Sequence, residues 1–319
     1  MRVLVTGGTG YLGRAIVAAL AARGHAPVCF ARAAVPSAGV EAIAGDVTDA
    51  AALARAAREV DAICHSAALV SIWERDASRF DAVNVGGLRH AIAAAAAAGH
   101  DRFVYTSSFL ALPPKGRGAP LAANDYQRTK AEAAAVAGEA ARGGFPITQL
   151  YPGVIYGPGD ARESNLVGRL IRDQMTARVP VAVGGDRIWS FAWIEDVAAA
   201  HVAALERGGG PARFMLGGEN LPQRRIFEIV RARTGARMPV PLPAWMARLV
   251  GAVEVARARA TGRPPLVTPA TVAIFEHDWP LDSSAAVADL AYRITPLVEG
   301  VGRLLAGHAG PYPPEPPTH

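Results

Sequence analysis

Short apolar runs alternate with longer segments of helical period through the first half of the chain. Val3 to Val5 is an apolar run of strand length, and Arg14 to Ala22 reads as a helix closed by Gly24. Pro27 to Ala31 is a second strand and Val40 to Ala44 a third, with a helix expected over Ala50 to Glu59 behind an Asp49 cap. Val60 to Ala68 is a fourth strand running into small residues, and Phe80 to Gly99 a long helix containing the alanine run Ala93 to Ala98. Arg102 to Thr106 is a fifth strand, ending in Thr106-Ser107-Ser108. A Pro/Gly-rich loop from Leu112 to Asn124 precedes a helix that begins near Asn124-Asp125. Strands alternating with helices in this way predict an α/β fold, a Rossmann-type doubly wound parallel sheet that binds ligands at the carboxyl ends of its strands.

Beyond Gly159 the alternation weakens. Helices are expected at Asn165 to Ala177, Asp196 to Arg207, Pro222 to Gly235, Pro243 to Ala260 and Pro269 to Glu276. Short strands are expected at Pro180 to Ala182, Ser190 to Trp193 and Phe214 to Gly217. The organisation this predicts is a dinucleotide-binding domain from residues 1–159 and 189–217 and a smaller mixed α/β substrate-binding cap from residues 160–188 and 218–310. Pro311 to His319 reads as a disordered proline-rich tail. Trp245, Leu249 and Val253 form a helical stripe flanked by Arg248 and Arg257. It is expected to be the core of the cap, with contact to a membrane surface as the alternative.

Composition narrows the function classes. The chain has 319 residues, 51% hydrophobic and 19% charged, with a net charge of +5. The basic residues are scattered arginines without a Lys/Arg block, which argues against a nucleic-acid partner. Cys29 and Cys64 both lie in apolar runs and read as core thiols of a reducing, cytoplasmic compartment, with no disulfide. The histidines show no metal-ligand spacing, so no metal is expected, and His65 reads as a buried, hydrogen-bonded residue without a catalytic role. The chain passes from Met1-Arg2 directly into the first strand, which predicts no signal peptide, and no apolar run reaches the ~20 residues of a membrane span.

Two constellations carry chemistry. Gly7, Gly10 and Gly13 stand at three-residue spacing between a strand and a helix. The first glycine permits the tight turn, the second lets backbone approach a pyrophosphate, and the third lets helix and strand pack closely. Arg32 ends the second strand, where an acidic residue would bond a ribose 2′-hydroxyl; an arginine there accommodates a 2′-phosphate and points to NADP(H), with NAD(H) as the alternative. Asp46 is placed to bond the adenine amino group. Tyr126 and Lys130 lie one turn apart on one helical face. A free tyrosine has a pKa of about 10, and an adjacent ammonium favours its phenolate. Ser108, at the end of the preceding strand, can hold a substrate oxygen beside the phenol.

Taken together these residues resemble the extended short-chain dehydrogenase/reductase superfamily, the NAD-dependent epimerase/dehydratase family within it, over nearly the whole chain. The resemblance runs through Thr6–Gly13, Gly45–Asp49, His65–Ala68, Asn84–Gly87, Tyr105–Ser108, Tyr126-x-x-x-Lys130, Tyr151–Gly159, Ser190–Ala198 and Leu290–Pro296. Ala67–Trp73, Ser78–Asp81 and Tyr105–Phe109 are most similar to the dihydroflavonol-4-reductase-like, farnesol dehydrogenase-like branch. The resemblance implies Ser108, Tyr126 and Lys130 as the catalytic triad: Tyr126 the acid/base, Ser108 orienting the carbonyl, Lys130 bonding the nicotinamide ribose and lowering the Tyr126 pKa. The cofactor would lie against Gly7, Thr9, Gly10, Tyr11, Leu12, Gly13, Arg32, Asp46, Val47, Ala67, Ala68, Thr106, Tyr126, Lys130, Tyr151, Pro152, Gly153 and Val154. In relatives, backbone matching Pro152 to Val154 holds the carboxamide. The resemblance gives Asn84 a structural role and implies a homodimer through the helices at Phe80 to Gly99 and Tyr126 to Arg142. Trp189 stands where nucleotide-sugar epimerases carry an arginine, which weakens a sugar-nucleotide reading.

The expected activity is therefore an NADP(H)-preferring oxidoreductase interconverting an alcohol and a ketone or aldehyde on a hydrophobic small molecule. Leu69, Trp73, Phe109, Val154 and Trp189 would line its substrate site. The competing readings are a nucleotide-sugar epimerase or dehydratase holding NAD tightly, and a non-catalytic NADP(H)-sensing protein.

Overall fold

The computed structural model describes residues 1–37, 39–159, 165–176 and 181–307. The tail at 311–319, and those parts of the expected cap at 160–164, 177–180 and 308–310, lie outside the described residues.

Seven parallel strands form the central sheet in the order β10-β6-β5-β4-β1-β2-β3. They are β1 (Arg2–Thr6), β2 (Ala26–Ala31), β3 (Glu41–Ala44), β4 (Ala62–His65), β5 (Phe103–Thr106), β6 (Ile147–Pro152) and β10 (Ala212–Leu216). The chain runs outward from β1 to β3, then restarts on the other side of β1 at β4. The carboxyl ends of β1 and β4 thus form the switch point of a doubly wound sheet, where such folds bind their ligands. The near-continuous apolar composition of these strands follows from cover on both faces. Helices α1 (Tyr11–Ala22) and α7 (Ile194–Arg207) pack on one face, burying Val3, Val5, Cys64, Val104 and Leu150. Helices α2 (Ala50–Ala57), α4 (Gly87–Ala98) and α5 (Asp125–Arg142) cover the other, burying Leu4, Phe30, Ile63, Phe103 and Ile147.

The expected single helix over Phe80–Gly99 is divided. A short piece, α3 (Ser78–Phe80), leads into a π-helical turn at Asp81–Gly86 before α4 begins. The turn carries Asn84, whose amide is bonded away from the helix: its Oδ1 accepts from the Leu69 N–H at 2.7 Å, and its Nδ2 donates to Thr129 Oγ1 at 3.0 Å. Asn84 thereby ties the loop after β4 to the start of α5. β6 carries no clear apolar pattern because Thr148 and Gln149 interrupt it, yet all six of its residues are buried.

A second sheet, in the order β11-β9-β7, sits beyond the carboxyl ends. It combines β7 (Val154–Tyr156), β9 (Ile188–Trp193) and β11 (Glu219–Pro222), with β7 parallel to β9 and β11 antiparallel to it. Helices α6 (Leu166–Met175), α8 (Arg224–Thr234), α10 (Pro269–Phe275) and α12 (Leu297–Gly307) supply residues to a third core, with Tyr156, Trp189, Trp193, Ile229 and Trp279 at its centre. A two-stranded parallel pair, β8 (Val181–Ala182) with β12 (Val240–Pro241), and helix α11 (Ser284–Leu290) complete the chain. Among the described residues no helix is long and apolar enough to cross a membrane.

One expectation is overturned. In α9 (Ala244–Thr261), Trp245, Leu249 and Val253 do not form the core of the cap: all three are exposed. The face turned inward carries the small residues Ala247, Gly251 and Ala258 instead. A Cβ on Gly251 would come within 2.9 Å of the Pro269 nitrogen at the start of α10, so this packing admits only small side chains.

Candidate active site

The glycine turn is fixed by backbone sterics. Gly7 has φ +70°, a conformation L side chains rarely adopt, and donates its N–H to the Phe30 carbonyl at 2.8 Å. A Cβ on Gly7 would stand 2.8 Å from Ala67 Cα in the loop after β4, and one on Gly13 would overlap the Gly7 carbonyl. Gly10 occupies the N-cap of α1 without a capping side chain, and no acidic residue stands in the first turn. The helix N-terminus therefore presents uncapped N–H groups at the switch point, the arrangement that receives a pyrophosphate. Tyr11 reaches over this turn to donate to the Gly157 carbonyl at 3.0 Å.

Arg32 is exposed at the end of β2 and makes no ion pair among the described residues. Its charge acts on Asp46. Burial raises that carboxyl, but the backbone and hydroxyl bonds from Thr48, together with Arg32 and Arg79, hold it below the ordinary carboxylate range. Gly45, next to Asp46, lies against the Phe30 ring.

The chemical groups converge from two elements. Ser108 follows β5 and caps a short 3-10 turn at Phe109–Ala111; Tyr126 and Lys130 lie in the first turns of α5, whose own N-cap is Asn124. The α5 register turns Lys130 inward. Its ammonium is buried, donates to the Thr106 carbonyl at 3.1 Å and stands 5.6 Å from the centre of the Tyr105 ring. Burial pushes Lys130 down to about 8. Burial likewise pushes the Tyr126 phenol up to about 12, opposed by a hydrogen bond from Ser108. The depression expected from Lys130 is not found: burial dominates the phenol, and Ser108 is what lowers it.

Other polar groups around Lys130 are less evident from the sequence. Thr6, His65, Tyr105, Gln149 and Arg213 stand in one register across β1, β4, β5, β6 and β10. His65 shares a 3.0 Å hydrogen bond with Thr6 Oγ1, and burial together with the Lys130 charge pushes it down to about 3, so it is neutral. Tyr151 donates to Gln149 Oε1 at 2.9 Å, under the Arg213 guanidinium. On the opposite face the Thr106 hydroxyl donates to His201 Nε2 at 2.8 Å, while His201 Nδ1 donates to the Val197 carbonyl. His201 had no local motif to mark it; the buried register of Thr106 on β5 is the only clue.

The expected substrate residues divide into two groups. Phe109, Val154 and Trp189 come together in the third core, where the Trp189 ring lies 6.0 Å from Phe109 and 4.7 Å from Phe275, and Trp279 meets Phe109 edge-on at 5.5 Å. Trp189 Nε1 donates to the His277 carbonyl, so its polar edge is satisfied within the protein. Leu69 and Trp73 stand apart, on the half-buried loop after β4.

A family model described as NAD dependent epimerase/dehydratase family matches residues 3–217. Sterol demethylase protein B of Methylococcus capsulatus is 36% identical over 254 residues, covering 75% of this chain and 76% of that protein. The 2-alkyl-3-oxoalkanoate reductase of Stenotrophomonas maltophilia is 33% identical over 292 residues, covering 83% and 87%. Among solved structures, the UDP-glucose 4-epimerase of Thermus thermophilus in complex with NAD superposes with a TM-score of 0.75 at 23% identity, covering 97% of this chain and 98% of that one. At that identity the likeness is one of fold.

The buried lysine makes stability depend on pH. Between about 8 and the ordinary 10.5, the unfolded chain keeps a Lys130 proton that the folded chain has released. Stability from this group therefore rises with pH across that window, by at most about 1.4 kcal/mol per pH unit. The buried thiols of Cys29 and Cys64 are pushed up by burial and act in the opposite sense, so the informative quantity is the difference from Lys130→Met. Urea midpoints should show wild type gaining on Lys130→Met as pH rises from about 8; parallel profiles would mean that Lys130 is not buried as a cation.

Proposed function

The chain belongs to the NAD-dependent epimerase/dehydratase family and is an NAD(P)-dependent enzyme of the short-chain dehydrogenase/reductase type, and from that premise we propose that it interconverts an alcohol and a ketone or aldehyde on an apolar small molecule, with NADP(H) preferred. The observation that carries this reading is the meeting of Ser108 with the Tyr126 phenol while Lys130, one turn along α5, is buried against the end of β5, in a sheet whose switch point carries the uncapped start of α1.

The residues present fit a dinucleotide: Gly7 and Gly13 leave no room for side chains, α1 offers free N–H groups, and Arg32 stands exposed at the end of β2 with no ion pair among the described residues. When bound, such a cofactor supplies the hydride. The protein supplies the rest. Arg32 would bond a 2′-phosphate, Asp46 the adenine amino group, and the backbone of Pro152 to Val154 the carboxamide. Lys130 would hold the nicotinamide ribose while its charge stabilises negative charge developing on the substrate oxygen. Ser108 would hold that oxygen against Tyr126. A phenol pushed up by burial stays protonated at neutral pH and can donate its proton to an alkoxide.

The aromatic cluster of Trp189, Phe109, Phe275 and Trp279 supports an apolar substrate. A diphosphate would need cationic or backbone partners there, and desolvating it against these rings without them is costly. We propose that segments 160–188 and 218–310 cap the substrate, and that the faces of α4 and α5 pair two copies.

Tyr126→Phe should retain cofactor affinity and lose roughly 10²–10⁴-fold in turnover, the worth of a positioned proton donor. The assay is NADPH oxidation with a panel of hydrophobic ketones and aldehydes. Near-normal kcat in the variant would overturn the assignment, and micromolar calorimetric binding of a nucleotide sugar with no carbonyl turnover would replace this reading with an epimerase.

Arg32→Ala should raise KM for NADPH at least tenfold while changing KM for NADH less than twofold, since one charge-assisted bond to phosphate accounts for about 1.5–3 kcal/mol. Equal wild-type affinity for the two cofactors would remove the NADP(H) preference.

A further inference from the structure

Helix α9 is built inside out. Its inward face carries Ala247, Gly251 and Ala258, and its outward face carries the large apolar side chains. Trp245 is 67% exposed, Leu249 63% and Val253 63%, at i, i+4 and i+8 on one stripe. Met246 and Val250 widen it, and Leu266, just past the helix, extends it. An amphipathic helix of a globular protein ordinarily buries such a stripe. Here the fold gains nothing from it, and contiguous apolar surface of this kind marks an interaction site.

The charges around the stripe select its occupant. Residues 244–263 carry four arginines and one glutamate, Glu254, a balance of +3. Arg257 pairs with Glu254, and Arg248 pairs with Glu276, the residue that follows α10. Arg259 and Arg263 make no ion pair among the described residues, and Arg75 brings a further guanidinium beside Gly262. A second copy docked on this face through a two-fold axis would set arginine flank against arginine flank, which is repulsive. An anionic lipid surface reverses the sign: the apolar ridge enters the acyl boundary while the arginines remain at headgroup level.

We propose that the α9 ridge, led by Trp245, Leu249 and Val253 and flanked by Arg259 and Arg263, binds the protein peripherally to an anionic membrane surface. This docking is independent of the redox reading and requires no turnover.

The test is co-sedimentation of the full chain with phosphatidylcholine vesicles, with and without one-third phosphatidylglycerol. Wild type should partition onto the phosphatidylglycerol vesicles, and added salt should weaken it. Trp245→Gln with Leu249→Gln and Val253→Gln should cut partitioning at least tenfold. Arg259→Glu with Arg263→Glu should abolish the preference for the anionic vesicles. These positions are exposed, so both variants should keep the wild-type melting temperature. Failure of wild type to partition, or equal partitioning of the apolar variant, would overturn the proposal. So would a wild-type oligomer that dissociates in that variant in analytical ultracentrifugation, which would assign the ridge to a second copy.

Discussion

The carbonyl of Gly7 is the point against which the nucleotide-binding half is built. It receives the Gly10 N–H at 2.8 Å, and the backbone of Gly13 passes so close to it that no side chain fits at that position. On its other side, Gly7 abuts Ala67, which belongs to the loop after β4. One residue thus sets both the tilt of α1 against β1 and the separation between the two halves of the sheet at their switch point. The left-handed conformation of Gly7 is what makes this triple approach possible. From there the constraint spreads: the same loop is fixed at Leu69 by Asn84, and Asn84 is fixed to Thr129 in α5, the helix that carries Tyr126 and Lys130.

A second theme is the cost of burying a cation. Lys130 lies beside the Tyr105 ring, the Thr106 carbonyl is the one acceptor its ammonium finds among the described residues, and burial lowers its proton affinity. The neutral His65 beside it adds no competing charge at physiological pH. Around these groups burial penalises charge, raising Tyr126 and lowering Lys130 and His65 together. Such an environment strengthens any electrostatic interaction that forms within it.

Much of the nucleotide-binding half was legible because local physics and global fold agree there. The glycine spacing, the apolar strands and the Tyr126/Lys130 repeat each depend on neighbours a few residues away. Where the sequence misled, the deciding contact was distant. β6 was hidden because Thr148 and Gln149 are polar yet buried by neighbouring strands on both sides. The π turn was hidden because Asn84 answers to Leu69 and Thr129, both remote in sequence. The α9 stripe has the period of a core helix, and only the close approach of Gly251 to α10 determines which face turns in. His201 reads as any helical histidine until Thr106 is found against it.

The path of the chain between β6 and β10 bears on how the molecule assembles. After Pro152 the chain leaves the central sheet, builds β7, α6, β9 and α7, and only then returns with Ala212–Leu216 to pair along β6. The hydrogen-bonding edge of β6 is therefore bare until a large part of the second half has been synthesised. Closing so long a loop carries an entropic cost that grows with its length, and contacts this distant in sequence slow folding. An unpaired strand edge is also the surface on which nascent chains pair with one another. When Ala212–Leu216 arrives it covers β6 and becomes the outer strand itself, so the open edge of the sheet passes from a buried segment to one laid down late in the chain.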